Sequence, residues 1–174
     1  MIPDDSRFLR IAAYVIHRHE GGDSDHSADA GGKTRYGISK AAYPAEFAGR
    51  LVPNLQRAVE IYWKDYWTPL SCSSIQSDAI AAKVFDLAVN MGTGRAGHIL
   101  QEAVNLLRDD QLAVDGKVGS VTLRAVNMTR HPSALVAVLC GLQWAFYQGL
   151  IERKPSQRIF AAGWARRSSW SGVA

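Results

Sequence analysis

The chain has 174 residues, a length that suits one domain with a real core. Its 47% hydrophobic and 21% charged residues exclude a disordered or low-complexity protein. The formal net charge of +4 suits a polyanionic partner such as cell wall, nucleic acid or an anionic membrane. No zinc-finger spacing, aromatic RNA-binding signature or basic tract accompanies that charge, so no nucleic-acid partner is expected.

The first element is a helix. Phe8, Ile11, Ala12, Val15, Ile16 and His19 recur at the i, i+3, i+4, i+7 spacing of one amphipathic face. Ser6 can cap its start, with Asp4 and Asp5 near the positive end of the dipole, and Gly21-Gly22 supply its stop. Glu20 stands at this C-terminus, where its charge meets the negative pole of the dipole. Two readings follow. One is a solvated surface glutamate; the other is a carboxyl whose pKa is pushed up, so that it keeps a proton near neutral pH and serves as a general acid.

Residues 23–32 read Asp-Ser-Asp-His-Ser-Ala-Asp-Ala-Gly-Gly, which is loop and turn chemistry without an apolar side chain larger than alanine. A polar loop of this length inside a compact domain is more often functional than accidental. Thr34-Arg35-Tyr36-Gly37-Ile38-Ser39 then alternates like a short strand pair, and Ser39 can cap a helix over 39–47. Helix, glutamate, polar hairpin and helix together gather Asp23, Asp25, His26, Asp29 and Thr34 around one carboxyl.

Pro53 favours the first turn of a helix reaching Trp67, and Pro69 stops it. Ser77 caps a helix over 78–91 with the apolar line Ile80, Val84, Leu87, Ala88 and Met91. Asp86 and Asn90 share a polar edge of it and either line a cleft or hydrogen-bond helices together. Thr93 caps the next helix, to about Leu107. Asp115-Gly116 and Gly119 mark a turn before a helix over 120–129. Pro132 opens a long helix to 153, and a last one spans 156–168.

Cys72 and Cys140 allow at most one disulfide, and the sequence leaves their pairing open. Cys140 lies in an apolar run and reads as a core residue; no histidine stands beside either thiol as a base. His17 and His19 are two apart and face different directions, so no metal site is expected. Arg153, Lys154, Arg158, Arg166 and Arg167 form a modest basic cluster that reads as a solvated helical face. Met1-Ile2-Pro3-Asp4-Asp5 lacks a basic region followed by an apolar run, so no signal peptide is expected. The longest apolar segment, 134–147, is interrupted by Gly141 and Gln143 and reads as a central core helix without stable membrane insertion.

Glu20-Gly21-Gly22, followed by Asp29-Ala30-Gly31-Gly32-Lys33-Thr34-Arg35-Tyr36-Gly37-Ile38-Ser39, resembles the signature of glycoside hydrolase family 108, lysozyme-like N-acetylmuramidases found as phage endolysins and bacterial relatives. Alanine stands where the family usually has proline in Asp-Pro-Gly-Gly, and Arg35 where it usually has asparagine in Thr-Asn-Tyr-Gly-Ile. Residues 58–67, ending in Tyr66-Trp67, and Phe85-Asp86-Leu87-Ala88-Val89-Asn90-Met91-Gly92 are similar to the family's next helices. Val114-Asp115-Gly116-Lys117-Val118-Gly119 with Thr122, and Gly163-Trp164-Ala165-Arg166-Arg167, are similar to its peptidoglycan-binding region.

The resemblance implies a mainly α, lysozyme-like (α+β) fold of about eight helices, with a small β-hairpin after the catalytic helix. It implies one compact domain over 1–174, with a catalytic half at 6–92 and a peptidoglycan-binding-like helical half at 93–170 packed on it. The implied reaction is hydrolysis of the β-1,4 bond between N-acetylmuramic acid and N-acetylglucosamine. Glu20 is the implied general acid, and Asp29 the candidate second carboxylate, ahead of Asp23 and Asp25. Thr34, Tyr36, Asp86, Asn90 and Tyr62 are the candidate substrate contacts. Of Tyr62, Trp63, Tyr66 and Trp67, one is expected to reach the sugar groove and the others to pack in the core; Trp164 is expected to pack. No cofactor is expected, and bacterial peptidoglycan is the partner.

For a phage enzyme the resemblance further implies synthesis in the host cytoplasm, exit through holin-made lesions and action on the wall in the periplasm. The residues leave three other readings open: a lytic transglycosylase, a chitinase-like glycosidase, and a non-catalytic wall-binding protein. They also leave oligomeric state open.

Overall fold

The computed structural model describes residues 5–19, 34–48 and 52–172. Among them are seven α-helices and one two-stranded antiparallel sheet, consistent with the lysozyme-like expectation and close to its helix count. The chain divides into two compact units, the first ending at Asp65 and the second running from Tyr66 to Val173.

In the first unit, α1 spans Ser6–His19. Asp5 rather than Ser6 caps it: the Phe8 backbone N–H donates to Asp5 Oδ1 at 2.9 Å. Phe8, Ile11, Ala12, Val15 and Ile16 are all buried, as their spacing requires. Strand β1, Thr34–Arg35, pairs antiparallel with β2, Ile38–Ser39, in the register Thr34 opposite Ser39 and Arg35 opposite Ile38. The two residues between them, Tyr36 and Gly37, have φ of 50° and 76°. Two successive left-handed residues are what a two-residue hairpin needs if its turn is to match the strands' twist.

The helix expected over 39–47 is reduced to a 3-10 turn at Pro44–Phe47. Proline explains the difference. It lacks a donor for a preceding helical turn and pushes Tyr43 out of the α region, to φ −131° and ψ 64°. Helix α2, Leu55–Tyr62, starts two residues beyond Pro53, the expected first position, because the Asn54 side chain accepts from the Arg57 backbone N–H at 2.8 Å and makes Asn54 the cap. A wider π-helical turn, Trp63–Trp67, follows it.

In the second unit, α3 spans Asp78–Met91, with the Ser77 hydroxyl accepting from Ile80 N–H at 3.4 Å. Gly92, at φ 83°, ends α3 and also caps α4, Thr93–Asn105, so Thr93 is the first helical residue and not the cap. Then come α5 (Ser120–Asn127), α6 (Pro132–Arg153) and, after a 3-10 turn at Pro155–Phe160, α7 (Ala161–Ser168). Residues 80–88 of α3 are all buried, on every side of the helix. It packs against α4 and α6, and α6 in turn packs against α4 and α7. By length and hydropathy α6 would suffice to cross a bilayer; here it is the helix around which α3, α4 and α7 assemble. Unit 2 therefore holds α3 together with α4–α7.

Candidate functional site

Helix α1 ends at His19, and Glu20 is the next residue. Glu20 and Asp29, with Asp23, Asp25 and His26, lie outside the described residues. The hairpin that follows them is described. Thr34 sits on β1, half-buried. Tyr36 occupies the left-handed turn position, an uncommon conformation for a side chain of that size. Two contacts hold it there. Its carbonyl accepts a 2.8 Å hydrogen bond from the Tyr62 hydroxyl, and the Arg35 guanidinium lies 5.4 Å from its ring centroid.

Tyr62 is 1% exposed, so its ring offers no face to a sugar; its hydroxyl is a strut beneath the hairpin turn. Trp63 packs edge-on against Phe8 of α1, with ring centroids 5.0 Å apart. The structure thus joins two of the expected contacts, Tyr36 and Tyr62, in one hydrogen bond. Among the Tyr62–Trp67 aromatics, Trp67 is buried in unit 2, edge-on to Phe85 and donating to Ser73 Oγ at 2.7 Å, while Tyr66 is half-buried.

Asp86 and Asn90 lie on α3 in unit 2. Asp86 is buried, with Arg167 Nε at 2.9 Å and Lys83 Nζ at 3.8 Å. Lys83 is itself buried, donating to Gln143 Oε1 at 2.7 Å and to the carbonyls of Arg167 and Ser168 at 3.3 and 3.4 Å. Burial pushes the Lys83 ammonium below the ordinary lysine pKa, with the Asp86 charge pulling the other way. Gln143 Nε2 reaches Tyr147 Oη at 3.1 Å and Asp86 Oδ2 at 3.5 Å. The Tyr147 hydroxyl donates to Asn90 Oδ1 at 2.5 Å, and its ring stacks on Trp164 with centroids 4.7 Å apart. Trp164 also touches Phe160, so it packs between two rings.

The result is a polar seam between α3 and α6 that begins in the core at Lys83 and ends at the exposed Asn90. Asp86 is enclosed in the seam; Asn90 is its surface end. Sequence reading missed Lys83, Gln143, Tyr147 and Arg167. The available signal was spacing: Lys83, Asp86 and Asn90 fall at i, i+3 and i+7 of an otherwise apolar helix, and Gln143 and Tyr147 at i, i+4 of another.

Cys72 and Cys140 are both free thiols. Burial pushes the Cys140 thiol up, with the Lys83 charge opposing, and its Sγ reaches the Trp170 carbonyl at 3.3 Å. Among the described residues no cluster of three histidine, cysteine or acidic side chains could hold a metal ion.

The 114–119 turn is organised by one glutamine of α4. Gln101 Oε1 accepts from the backbone N–H groups of Asp115 and Gly116 at 3.0 and 2.8 Å, while its Nε2 donates to Asp115 Oδ1 at 2.8 Å and to the Lys117 carbonyl at 3.1 Å. These bonds hold the Asp115 carboxyl below its ordinary pKa. An open groove of about 560 Å³ lies elsewhere in the unit, with Leu107, Arg108, Met128, Arg130 and His131 in its lining.

Comparison with known proteins agrees with this architecture. Residues 13–92 match the family Glycosyl hydrolase 108, and residues 95–169 match the family described as Predicted Peptidoglycan domain. Among solved structures, that of Brucella abortus SagA is similar at 25% identity, covering 96% of this chain and 97% of that chain with a TM-score of 0.69. No curated protein matches the chain. The Asp86–Arg167, Lys83–Gln143 and Asn90–Tyr147 contacts each join a residue of the first matched segment to a residue of the second. With a glycosyl hydrolase 108 domain over residues 13–92 followed by a peptidoglycan domain over residues 95–169, the chain is a glycoside hydrolase that acts on peptidoglycan.

Proposed function

We propose that the protein is an N-acetylmuramidase of endolysin type, with Glu20 as its general acid. The observation that carries the reading is positional. Glu20 directly follows a helix whose whole apolar face is buried, within the Glu-Gly-Gly run that resembles the family's catalytic motif. Proton transfer to a specific oxygen requires a positioned acid, and Glu20 is joined directly to an anchored helix.

Glu20 gives its proton to the glycosidic oxygen as the bond from the muramic-acid anomeric carbon breaks, so the N-acetylglucosamine part leaves as an alcohol and not as an alkoxide. Positive charge then builds on the anomeric carbon, and a second carboxylate, for which Asp29 is the candidate, answers it. If the two carboxyls stand about 5 Å apart, Asp29 attacks directly and configuration is retained; at roughly 6.5–9.5 Å it activates a water instead and configuration inverts. Thr34 and the Tyr36 hairpin are the proposed sugar contacts. For a phage-encoded enzyme, the wall is reached from the cytoplasm through holin lesions, and lysis follows.

Mass spectrometry of muropeptides released from purified peptidoglycan tests the reaction. A reducible muramic-acid end is expected. A 1,6-anhydro end would identify a lytic transglycosylase, and cleavage of chitin oligomers in preference to murein a chitinase-like enzyme. Glu20→Gln is expected to abolish clearing with a native circular-dichroism spectrum. A folded Glu20→Gln protein that still clears murein removes Glu20 from the chemistry.

A further inference from the structure

The polar seam has a direction, and the direction decides what Asn90 shows to solvent. A carboxamide presents either a carbonyl oxygen or an NH2 group, and only its hydrogen-bond partners fix which. Lys83 at the buried end is a donor only, so the Gln143 oxygen must face it, at 2.7 Å. Asp86 Oδ2, an acceptor, lies 3.5 Å from the Gln143 nitrogen and fixes the same orientation. Gln143 Nε2 therefore donates to Tyr147 Oη. The tyrosine's single proton is then directed to Asn90 Oδ1 at 2.5 Å. With its oxygen taken, Asn90 turns its Nδ2 donors outward, where nothing among the described residues accepts from them.

A chain of this kind costs conformational freedom at every link and returns a surface donor of fixed orientation. A donor pair reads an acceptor. The strongest neutral acceptor on a peptidoglycan glycan is the acetamido carbonyl that each of its amino sugars carries. The geometry points to Asn90 as the residue that donates to the acetamido carbonyl oxygen of a bound amino sugar, with Tyr147 and Gln143 as positioning residues that set its orientation. The assignment rests on peptidoglycan being the substrate, as proposed above, but not on the identity of the acid.

Two substitutions test it with little change of volume. Asn90→Asp keeps the acceptor for Tyr147 and replaces the outward donors by an acceptor. Gln143→Glu removes the donor to Tyr147, so the tyrosine proton turns inward and Asn90 flips. On soluble N-acetylated murein strands each is expected to raise KM about tenfold with little change in kcat, the size of one hydrogen bond to a fixed donor. The double variant is expected to be no worse than Asn90→Asp alone, because both remove the same contact. A merely structural role would lower the melting temperature and leave KM alone. Wild-type KM in folded Asn90→Asp, or additive effects in the double variant, would overturn the assignment.

A binding measurement separates this result from failure of the hydrolytic mechanism. In ¹⁵N-labelled Glu20→Gln protein, the Asn90 side-chain NH2 resonances are expected to shift on titration with N-acetylated murein fragments and to stay still with de-N-acetylated ones. Equal shifts with both would assign the contact to a hydroxyl and sink the acetamido reading. Loss of wild-type hydrolysis with the shift retained would count against the muramidase reading alone.

Discussion

Arg167 Nε lies 2.9 Å from Asp86 Oδ1, an ion pair that closes 81 residues of sequence between α7 and α3. Asp86 is buried and Arg167 is 8% exposed, so neither charge has water to fall back on. Each partner lies in a different matched family segment, which makes the peptidoglycan segment part of the scaffold that holds α3.

Removing one member takes from the other its nearest counter-charge. Arg167→Met is expected to cost roughly 3 kcal/mol, toward the lower end for breaking a buried pair because Lys83 remains within reach of Asp86. Urea denaturation, with the slope compared to wild type, measures it. A loss under about 1 kcal/mol would mean that the pair is solvated in solution.

Tyr62→Phe separates a strut from a sugar platform. A strut loses the bond to the Tyr36 carbonyl, worth about 1 kcal/mol, or roughly 2–4 °C in melting temperature for a chain of this size. A platform would keep its ring, its stability and its substrate affinity. Calorimetry of the variant decides, and the strut result is expected.

Gly97→Ala places a Cβ 2.1 Å from the Gly116 carbonyl oxygen, a backbone atom that cannot rotate away. Helix α4 and the 114–119 turn must separate, and a loss of about 2 kcal/mol is expected. Gly94→Ala, whose Cβ would meet nothing within 4 Å, is the control and is expected to lose nothing. Thermal melts of the pair check both outcomes.

Much of the fold could be read from local chemistry. The buried face of α1, the Ser77 cap of α3 and the Pro132 start of α6 follow from spacing and from single residues acting on their own backbone. Reading failed where two local signals competed. Ser39 invited a helix that Pro44 forbade, and Asn54 took the cap although Pro53 was expected as the first helical residue. The polar seam stayed hidden for a different reason. Gln143 looked like an interruption in an apolar run and Lys83 drew no notice, because the two partners lie 60 residues apart.

The sequence by itself determined the helical periodicity, the short hairpin at Thr34–Ser39 and the motifs that resemble the glycosidase family, because each depends on neighbours within a turn or two of the chain. Tertiary structure alone decided that Asp86 is enclosed while Asn90 reaches the surface, and that Tyr62 props the hairpin. Residues four apart share one edge of a helix, but only the helices packed against that edge decide which of them meets water.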